Sequence, residues 1–294
     1  MLKKLCLLLF SILIGAISGQ AQLVKEYKVT ERKGFDLVRL NFSTYKSLTQ
    51  LRRVKTMDPV YIHGHLQNSN ILPDFNYNLR NNILETSLIH KNIESDNLGK
   101  SITSKLFNSD PGFEHTWDLG LGSGYLYDLD FNLGMGKADF DLSQIPVSTL
   151  KVKSASADVH IFYGNFTPNQ VEMDTLLVVV NMGSLDVQNA NFTNARKMIF
   201  EVNYGSIDLN FSDGMAASSQ VIAAVSGGTV HVKLPPDNFP FRLKLKTTPM
   251  CRTTLPKSLR SLEKGIYVSK GYNPNDPKLL ELIVDVGVGA LTIE

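Results

Sequence analysis

The chain has 294 residues, with 30 basic and 28 acidic side chains and a mean hydropathy of −0.06. Removal of a leader at residues 1–21, which contains two lysines, leaves basic and acidic residues in balance, and this argues against a nucleic-acid-binding surface. Cys251 is then the only cysteine, so an internal disulfide framework is excluded and burial must stabilise the fold.

The N-terminus has the features of an export signal. Lys3 and Lys4 precede an apolar run from Leu5 to Ile17, and Gly19-Gln-Ala21 is typical of a signal-peptidase site. The run is shorter than the roughly 20 apolar residues that cross a bilayer. We therefore expect residues 1–21 to be a signal peptide and the mature protein to be exported, either to the periplasm or to the cell surface.

Residues 22–112 predict a smaller β-rich region. The stretches 35–42, 60–66 and 83–89 have the polar and apolar pattern of strands, with a turn at 76–82 between the last two. A polar stretch at 91–112 marks the predicted boundary with the repeats that follow.

A short phrase then recurs, in which a small residue, usually Gly, is followed by alternating apolar and polar positions. Its copies lie at 136–140, 157–161, 183–187, 205–209, 228–232 and 289–293. The first five begin 21, 26, 22 and 23 residues apart, a spacing that indicates one supersecondary unit stacked on copies of itself. A second strand is predicted before each following copy, at 150–153, 176–180, 198–202, 221–225 and 241–245. These features predict an all-β fold with a repetitive, solenoid-like β-stack over residues 117–294.

The repeat rhythm is lost between Leu245 and Leu279, a stretch that contains four prolines. We expect an inserted excursion at 246–278, in which 255–263 is the one candidate helix. The last rung of the stack is then predicted at 279–293, with no polar cap after it.

The phrases 133–142 and 285–293, with the continuation 142–152, resemble the toast-rack domain of bacterial envelope proteins. This group includes the LiaF-like cell-wall-antibiotic-response proteins and the related putative-adhesin domains built from β-strand repeats. The resemblance covers residues 117–294 and implies an all-β repeat fold in a protein that senses, scaffolds or adheres. Because the family signature consists of packing and turn residues, it implies no catalytic residues.

Polar residues recur at one position of the repeated phrase, between two apolar neighbours. They are Asp139, His160, Asp186, Asp208 and His231. We expect a column on the outer face of the stack, where a solvated surface is the simpler interpretation. Binding of Ca²⁺ or of a cationic partner is the alternative, although Ca²⁺ prefers six to eight oxygen ligands. His63 and His65 also share a strand face, but zinc requires three or four ligands.

Three other motifs favour structural roles. Gly120-Leu-Gly-Ser-Gly124 precedes a strand-like run instead of a helix, so a repeat turn is favoured over nucleotide binding. Asp174-Thr-Leu176 resembles a short acceptor motif for O-linked glycans used by some Bacteroidota. Asn-Phe-Ser/Thr triplets are interpreted as turns, and they begin at Asn41, Asn165, Asn191 and Asn210.

The chain contains no Gly-x-Ser-x-Gly sequence, and no His-bearing signature surrounds Cys251. We therefore predict a protein that is not an enzyme, with no catalytic, cofactor-binding or metal-binding residues. The predicted function is an exported interaction or scaffold module, with envelope-stress sensing as its specific form. The predicted partner is another envelope protein, or a second copy bound through the ends of the stack, with no nucleic acid and no small-molecule cofactor.

Two alternatives remain at this point. The first is an adhesin-like or self-assembling surface protein. The second is a carbohydrate-binding β-solenoid, for which Trp117, Tyr125 and Tyr127 are the available aromatic residues.

Overall fold

The computed structural model describes residues 23–67, 72–90, 115–164 and 167–294. The predicted signal peptide, 1–21, and the predicted boundary, 91–112, lie outside these residues. The described residues form one 16-stranded sheet and a single 3-10 turn, Ala190–Thr193. In chain order the strands are β1 (Leu23–Lys28), β2 (Leu37–Arg53), β3 (Val60–Leu66), β4 (Asp74–Arg80), β5 (Ile83–Ile89), β6 (His115–Leu121), β7 (Leu126–Asp141), β8 (Val147–Phe162), β9 (Met173–Val187), β10 (Ala195–Asn210), β11 (Ser219–Lys233), β12 (Phe241–Thr247), β13 (Cys251–Thr254), β14 (Arg260–Glu263), β15 (Ile266–Val268) and β16 (Leu280–Ile293).

Seven long strands form the centre of the sheet. They contain 14 to 17 residues each and run parallel in the spatial order β2, β7, β8, β9, β10, β11, β16. Each is bent once, and we call the halves before and after the bend the first and second arms. In β10, Phe200 and Val202 are buried on the first arm, and Ile207 and Leu209 on the second. The alternation shifts by one residue between Val202 and Ile207, so both arms bury their apolar side chains in the same core.

The bends are aligned from strand to strand by one residue in each, which we call the anchor. In spatial order the anchors are Ser47, Gly136, Ala157, Gly183, Gly205, Gly228 and Gly289. The five glycines have positive φ angles between 126° and 145°, a conformation that L side chains rarely adopt. A Cβ atom on Gly205 would also overlap the carbonyl oxygen of Gly183 on the neighbouring strand. At these five anchors Gly is therefore required both by the backbone conformation and by the close stacking of successive bends, whereas Ser47 and Ala157 are not among the residues with positive φ angles.

The predicted all-β repetitive stack is confirmed, with one refinement of its repeating unit. The sequence analysis separates the Gly phrases from the second strands that precede them. In the structure a second strand such as 198–202 and the phrase that follows it, 205–209, are the two arms of one continuous strand. Because Gly tolerates the bend, hydrogen-bonded pairing continues on both sides of it.

At both ends of the stack the bent strand is replaced by two separate strands. At the N-terminal end, β5 pairs with the first arm of β2 and β6 with its second arm. Antiparallel strands extend each of them, β4 beside β5, and β3 followed by β1 beside β6. At the C-terminal end, β12 and β13 pair with the two arms of β16, and β15 and β14 extend the sheet beyond β12.

The predicted last rung, β16, does not lie at the end of the stack. It is inserted between β11 and β12, so the start of the predicted excursion covers its outer edge. Cys251 aligns with the anchor Gly289, which means that 241–254 form a further rung without the Gly phrase. The sheet also runs without interruption from the described part of 22–112 into 117–294, while the division into domains stays a prediction.

Two local predictions are wrong. The predicted turn at 76–82 is mostly strand β4, and only Asn81 and Asn82, with φ angles of 52° and 58°, form the turn. The candidate helix at 255–263 is a loop followed by β14, which pairs with β15. Leu255 and Leu259 pack against the core from the loop, whereas all four residues of β14 are exposed.

Candidate functional site

Seven polar side chains form a row across the second arms of the long strands. Each lies three residues after its anchor, on the side opposite the core, and pairs in register with its counterpart on the next strand. The members of this polar row are, in spatial order, Gln50, Asp139, His160, Asp186, Asp208, His231 and Thr292. The five residues predicted to form a column are therefore consecutive members of one row.

The polar row continues onto the shorter strands at both ends. Beside Gln50, the register places Asp118 on β6, then His63 on β3 and Glu26 on β1. Beyond Thr292 it places Thr254 on β13. Glu26 and His63 are a further acid and imidazole pair, with 3.7 Å between Oε1 and Nδ1. Sequence reasoning missed this extension because these strands lack the Gly phrase that marks the register.

Each histidine of the repeated phrases lies beside carboxylates. His160 is flanked by Asp139, at 3.4 Å from Nδ1, and by Asp186, at 3.6 Å from Nε2. His231 lies 2.9 Å from Asp208 through Nδ1, and 3.5 Å from Glu294 through Nε2. The hydrogen bond with Asp208 raises the pKa of His231 above its ordinary value. Protonation of His231 would therefore make its part of the row less acidic as the pH falls.

The polar row is a surface feature and not a closed binding pocket. Between 22% and 50% of the side-chain area of its Asp and His members is exposed to solvent. Within the described residues, no group of three or more His, Cys, Asp or Glu side chains is arranged to hold a metal ion. The ring centroids of His63 and His65 lie 4.7 Å apart. What this arrangement offers chemically is a regular array of hydrogen-bonding groups with acidic character.

The other sequence motifs lie in structural positions. Gly122, in the predicted repeat turn, packs so tightly on the Asp58 carbonyl oxygen that a Cβ atom would overlap it. Trp117 and Tyr127 are fully buried, so neither offers a surface on which a sugar could stack. The glycan-acceptor motif lies within β9, where the hydroxyl of Thr175 donates a hydrogen bond to Asp174.

The Asn triplets occupy different positions. Asn191 lies in the 3-10 turn, where its side-chain oxygen accepts a hydrogen bond from the Ser212 backbone N–H, as expected for turn chemistry. Asn41 lies inside β2, so the turn interpretation is wrong for it, and its neighbour Phe42 is a buried core residue. Asn165 lies outside the described residues.

Sequence reasoning also missed a set of exposed apolar side chains. Met182, Tyr204 and Val288 directly precede three of the anchors and are 44%, 67% and 52% exposed. On β4, at the edge of the sheet, Tyr77 and Leu79 are 42% and 44% exposed. The alternation of apolar residues in a strand does not reveal exposure at a bend or an edge, because exposure there depends on the neighbouring strands.

In the part of the chain that the structure describes, no helix has the length and apolar character needed to cross a membrane.

Comparison with solved structures finds proteins to which the chain has a distant similarity. A putative cell adhesion protein from Clostridium sporogenes is 14% identical, with a TM-score of 0.49, and the match covers 92% of this chain and 98% of that one. A putative adhesin from Bacteroides fragilis is 12% identical, with a TM-score of 0.37 and coverages of 94% and 98%. A putative adhesin from Parabacteroides merdae is 10% identical, with a TM-score of 0.32 and coverages of 94% and 97%.

No curated protein sequence matches the chain. Residues 54–177 match the family model described as the N-terminal domain of toast_rack, DUF2154. The match begins in the region before the predicted repeats, includes β3 and β6, and extends through β7 and β8 into β9. None of the matched descriptions names an enzyme. The resemblance to the toast-rack family inferred from the sequence is thus confirmed, with the family model matched over residues 54–177.

Proposed function

We propose that the protein is an exported, non-enzymatic interaction module of the bacterial envelope. The observation that carries this proposal is the polar row. Its members repeat on consecutive parallel strands, which lie about 4.8 Å apart, and hydrogen bonds on both sides hold most of these strands in place. A rigid face with regularly spaced polar groups is suited to binding another macromolecule, since few side chains need to be ordered on association.

Envelope-stress sensing is the specific form of this function that we propose, and the match of residues 54–177 to the toast-rack family model supports it. In this role the polar row binds an envelope protein, and its acidic character favours a partner with a cationic surface. His231, whose pKa is raised by its hydrogen bond with Asp208, gives the interaction a dependence on pH, because its protonation reduces the negative charge of the row.

Crosslinking of the protein in its native envelope, followed by mass spectrometry of the captured partners, tests this proposal. The informative variant is Asp186→Asn with Asp208→Asn, which keeps the size of two row members and removes their charge. Its control is Asp213→Asn, an exposed residue outside the row. We expect a sensor kinase or another membrane regulator to be captured, and the double variant to reduce its yield at least severalfold.

Two outcomes contradict the proposal. Equal capture by the double variant and the control would remove the polar row from the interaction. Capture of surface polymers or of the protein itself, without any membrane regulator, would replace sensing by adhesion or assembly.

Adhesion by self-assembly is the second candidate, and the edge strand β4 favours it. Within the described residues β4 pairs only with β5, and its apolar residues Tyr77 and Leu79 are exposed. Its charged residues are at the two ends of a seven-residue strand, whereas the edge strands β1 and β13 carry charges inside the strand and β14 has two charged residues among its four. Internal charges discourage edge-to-edge pairing, so β4 is the edge best suited to strand addition by a second copy.

We predict that Tyr77→Lys abolishes any self-association that occurs through β4. Light scattering over a wide concentration range measures it, with Tyr204→Lys, an exposed substitution at a bend, as the control. A mass that rises with concentration in the parent and the control, but not in Tyr77→Lys, supports assembly. A strict monomer throughout would exclude it.

A further inference from the structure

The C-terminal end of the stack carries a concentration of unbalanced positive charge. Residues 244–264 contain six basic residues and one acid, Glu263, whereas residues 115–240 contain six basic and 13 acidic residues. All six basic residues are exposed. We call this group the cationic cap, and its members are Lys244, Lys246, Arg252, Lys257, Arg260 and Lys264.

The fold distributes these cations around the terminal rung. Lys244 and Lys246 alternate with buried or half-buried residues along β12, so they project from the outer side of the first arm. Arg252 aligns with Ala290, on the outer side of the second arm. Between the two arms, the carbonyl of Met250 accepts a hydrogen bond from Gly289 and places Met250 at the bend, where it is 73% exposed.

The remaining cations extend the cap to the sheet edge. Arg260 lies on β14, and Lys257 and Lys264 lie on either side of that strand. Leu262, also on β14, is 54% exposed. The cap thus combines exposed positive charge with two large exposed apolar side chains.

Three basic residues at the opposite end of the stack are held in ion pairs. There Lys28 and Arg32 bind the Asp58 carboxylate, with N–O distances of 2.6 and 2.7 Å, and Arg39 pairs with Asp128 and Glu85. Among the described residues, no carboxylate forms an ion pair with a member of the cationic cap, although Asp285 lies beside Lys246 in register. The charges of the cap are therefore available to an external anion.

We propose that the cationic cap docks the protein onto an anionic lipid surface. The cations contact lipid phosphates, while Met250 and Leu262 enter the boundary between headgroups and acyl chains. The exposed apolar residues favour a bilayer over a soluble polyanion, which would offer them no apolar environment. This proposal deepens the proposed function and rests on it for the location of the protein at an envelope surface.

Vesicle flotation with the purified protein tests the proposal, using vesicles that contain phosphatidylglycerol and vesicles of phosphatidylcholine alone. We expect binding to the anionic vesicles only, and weaker binding at high salt. The variant Lys244→Gln/Lys246→Gln/Arg252→Gln should lose about fivefold in partitioning per cation removed. The control Lys33→Gln/Lys55→Gln/Lys151→Gln removes the same charge from exposed positions outside the cap and should retain binding.

A second variant separates lipid from polyanion. Met250→Ser/Leu262→Ser should weaken vesicle binding severalfold while leaving binding of soluble polyphosphate unchanged, because it alters only the apolar contacts. The proposal would be overturned if the triple variant of the cationic cap and its control lost vesicle binding equally, or if the parent protein did not bind vesicles at all. Polyphosphate binding without vesicle binding would overturn it in favour of a polyanion ligand. Since flotation requires no protein partner, its failure is distinct from a failure of envelope crosslinking.

Discussion

Gly205 shows at the scale of one residue why the repeated phrase begins with Gly. Its backbone has a φ angle of 145°, and its Cα lies against the carbonyl oxygen of Gly183 on the neighbouring strand. Gly228 in turn lies against the carbonyl oxygen of Gly205, so the same contact repeats along the stack. A side chain at this position is therefore disfavoured both by the positive φ angle of the residue and by overlap with the carbonyl oxygen of the neighbouring strand.

We predict that Gly205→Ala destabilises the protein by about 3 kcal/mol or more. About 1–2 kcal/mol comes from the positive φ angle, and the rest from the backbone shift that relieves the overlap. The matched control is Gly124→Ala, at a φ angle of 92° with open space around the new Cβ, which should lose only the backbone part. Denaturant unfolding followed by the fluorescence of buried Trp117 gives both values. Equal losses in the two variants would show that stacking of the bends is not the cause.

The polar row could be predicted from sequence only where the Gly phrase marks the register. Asp139, His160 and Asp186 follow their anchors at a fixed distance, so their alignment follows from the spacing alone. Gln50 was missed because its strand has Ser47 at the anchor, although Ser47-Leu-Thr-Gln-Leu51 has the same alternation. The acid and imidazole contacts depend on side-chain conformation and exposure, which the spacing does not determine.

At the scale of elements, one buried carboxylate in the loop before β3 binds the last residue of β1 and the segment that follows β1. Asp58 is only 5% exposed in its side chain and accepts hydrogen bonds or ion pairs from Lys28 and Arg32. These interactions hold the pKa of Asp58 below its ordinary value, with the Lys28 contact as the largest cause. The connection is strong because it is shielded from water on the carboxylate side.

We predict that Asp58→Asn lowers the free energy of unfolding by about 1–2 kcal/mol at neutral pH, since the amide cannot pair with two cations. A lowered pKa in the folded state means that the carboxylate stabilises the protein above its unfolded pKa of about 3.9, and that this stability is lost as the pH falls through the folded value. When the free energy of unfolding is measured from neutral pH to below about pH 3, it should decrease less in Asp58→Asn than in the parent protein.

The control for Asp58 is Asp74→Asn, an exposed residue on β4 that accepts a hydrogen bond from Asn76. It should change the free energy of unfolding by a few tenths of a kcal/mol at most. If the free energy of unfolding decreases as much at low pH in Asp58→Asn as in the parent protein, another group is responsible for the acid dependence.

Elements were predictable where a local pattern determines them and not where a distant strand does. Residues 60–66 and 83–89 alternate in sequence and are strands β3 and β5 with those bounds. The segment 255–263 has leucines at helical spacing, 255, 259 and 262, yet its last four residues form strand β14, for which β15 supplies the partner. The position of β16 between β11 and β12 is also non-local, since both of its neighbours precede it in the chain by more than 30 residues.

At the scale of the molecule, the stack resembles a linear array in which each long strand is stabilised by its neighbours. Strands β8, β9 and β10 have a long partner on both sides, whereas β1, β4 and β14 each have a single short partner. Opening from the ends therefore breaks fewer contacts than opening in the middle.

We predict that hydrogen exchange is slowest in β8, β9 and β10, and fastest in the edge strands β1, β4 and β14. Exchange followed by mass spectrometry of peptides measures this directly. Uniform protection across the sheet would indicate that the stack unfolds only as one unit. Faster exchange in β9 than in β4 would contradict the stacking model.

The insertion of β16 between β11 and β12 also sets the order in which the protein can fold. As the chain emerges from synthesis or export, β11 and β12 appear before the strand that must separate them. A contact formed early between these two strands would have to open again before β16 could enter. The C-terminal third of the sheet can therefore complete its pairing only after residue 293 is free, and until then two unpaired edges require protection by chaperones or by rapid delivery of the last segment.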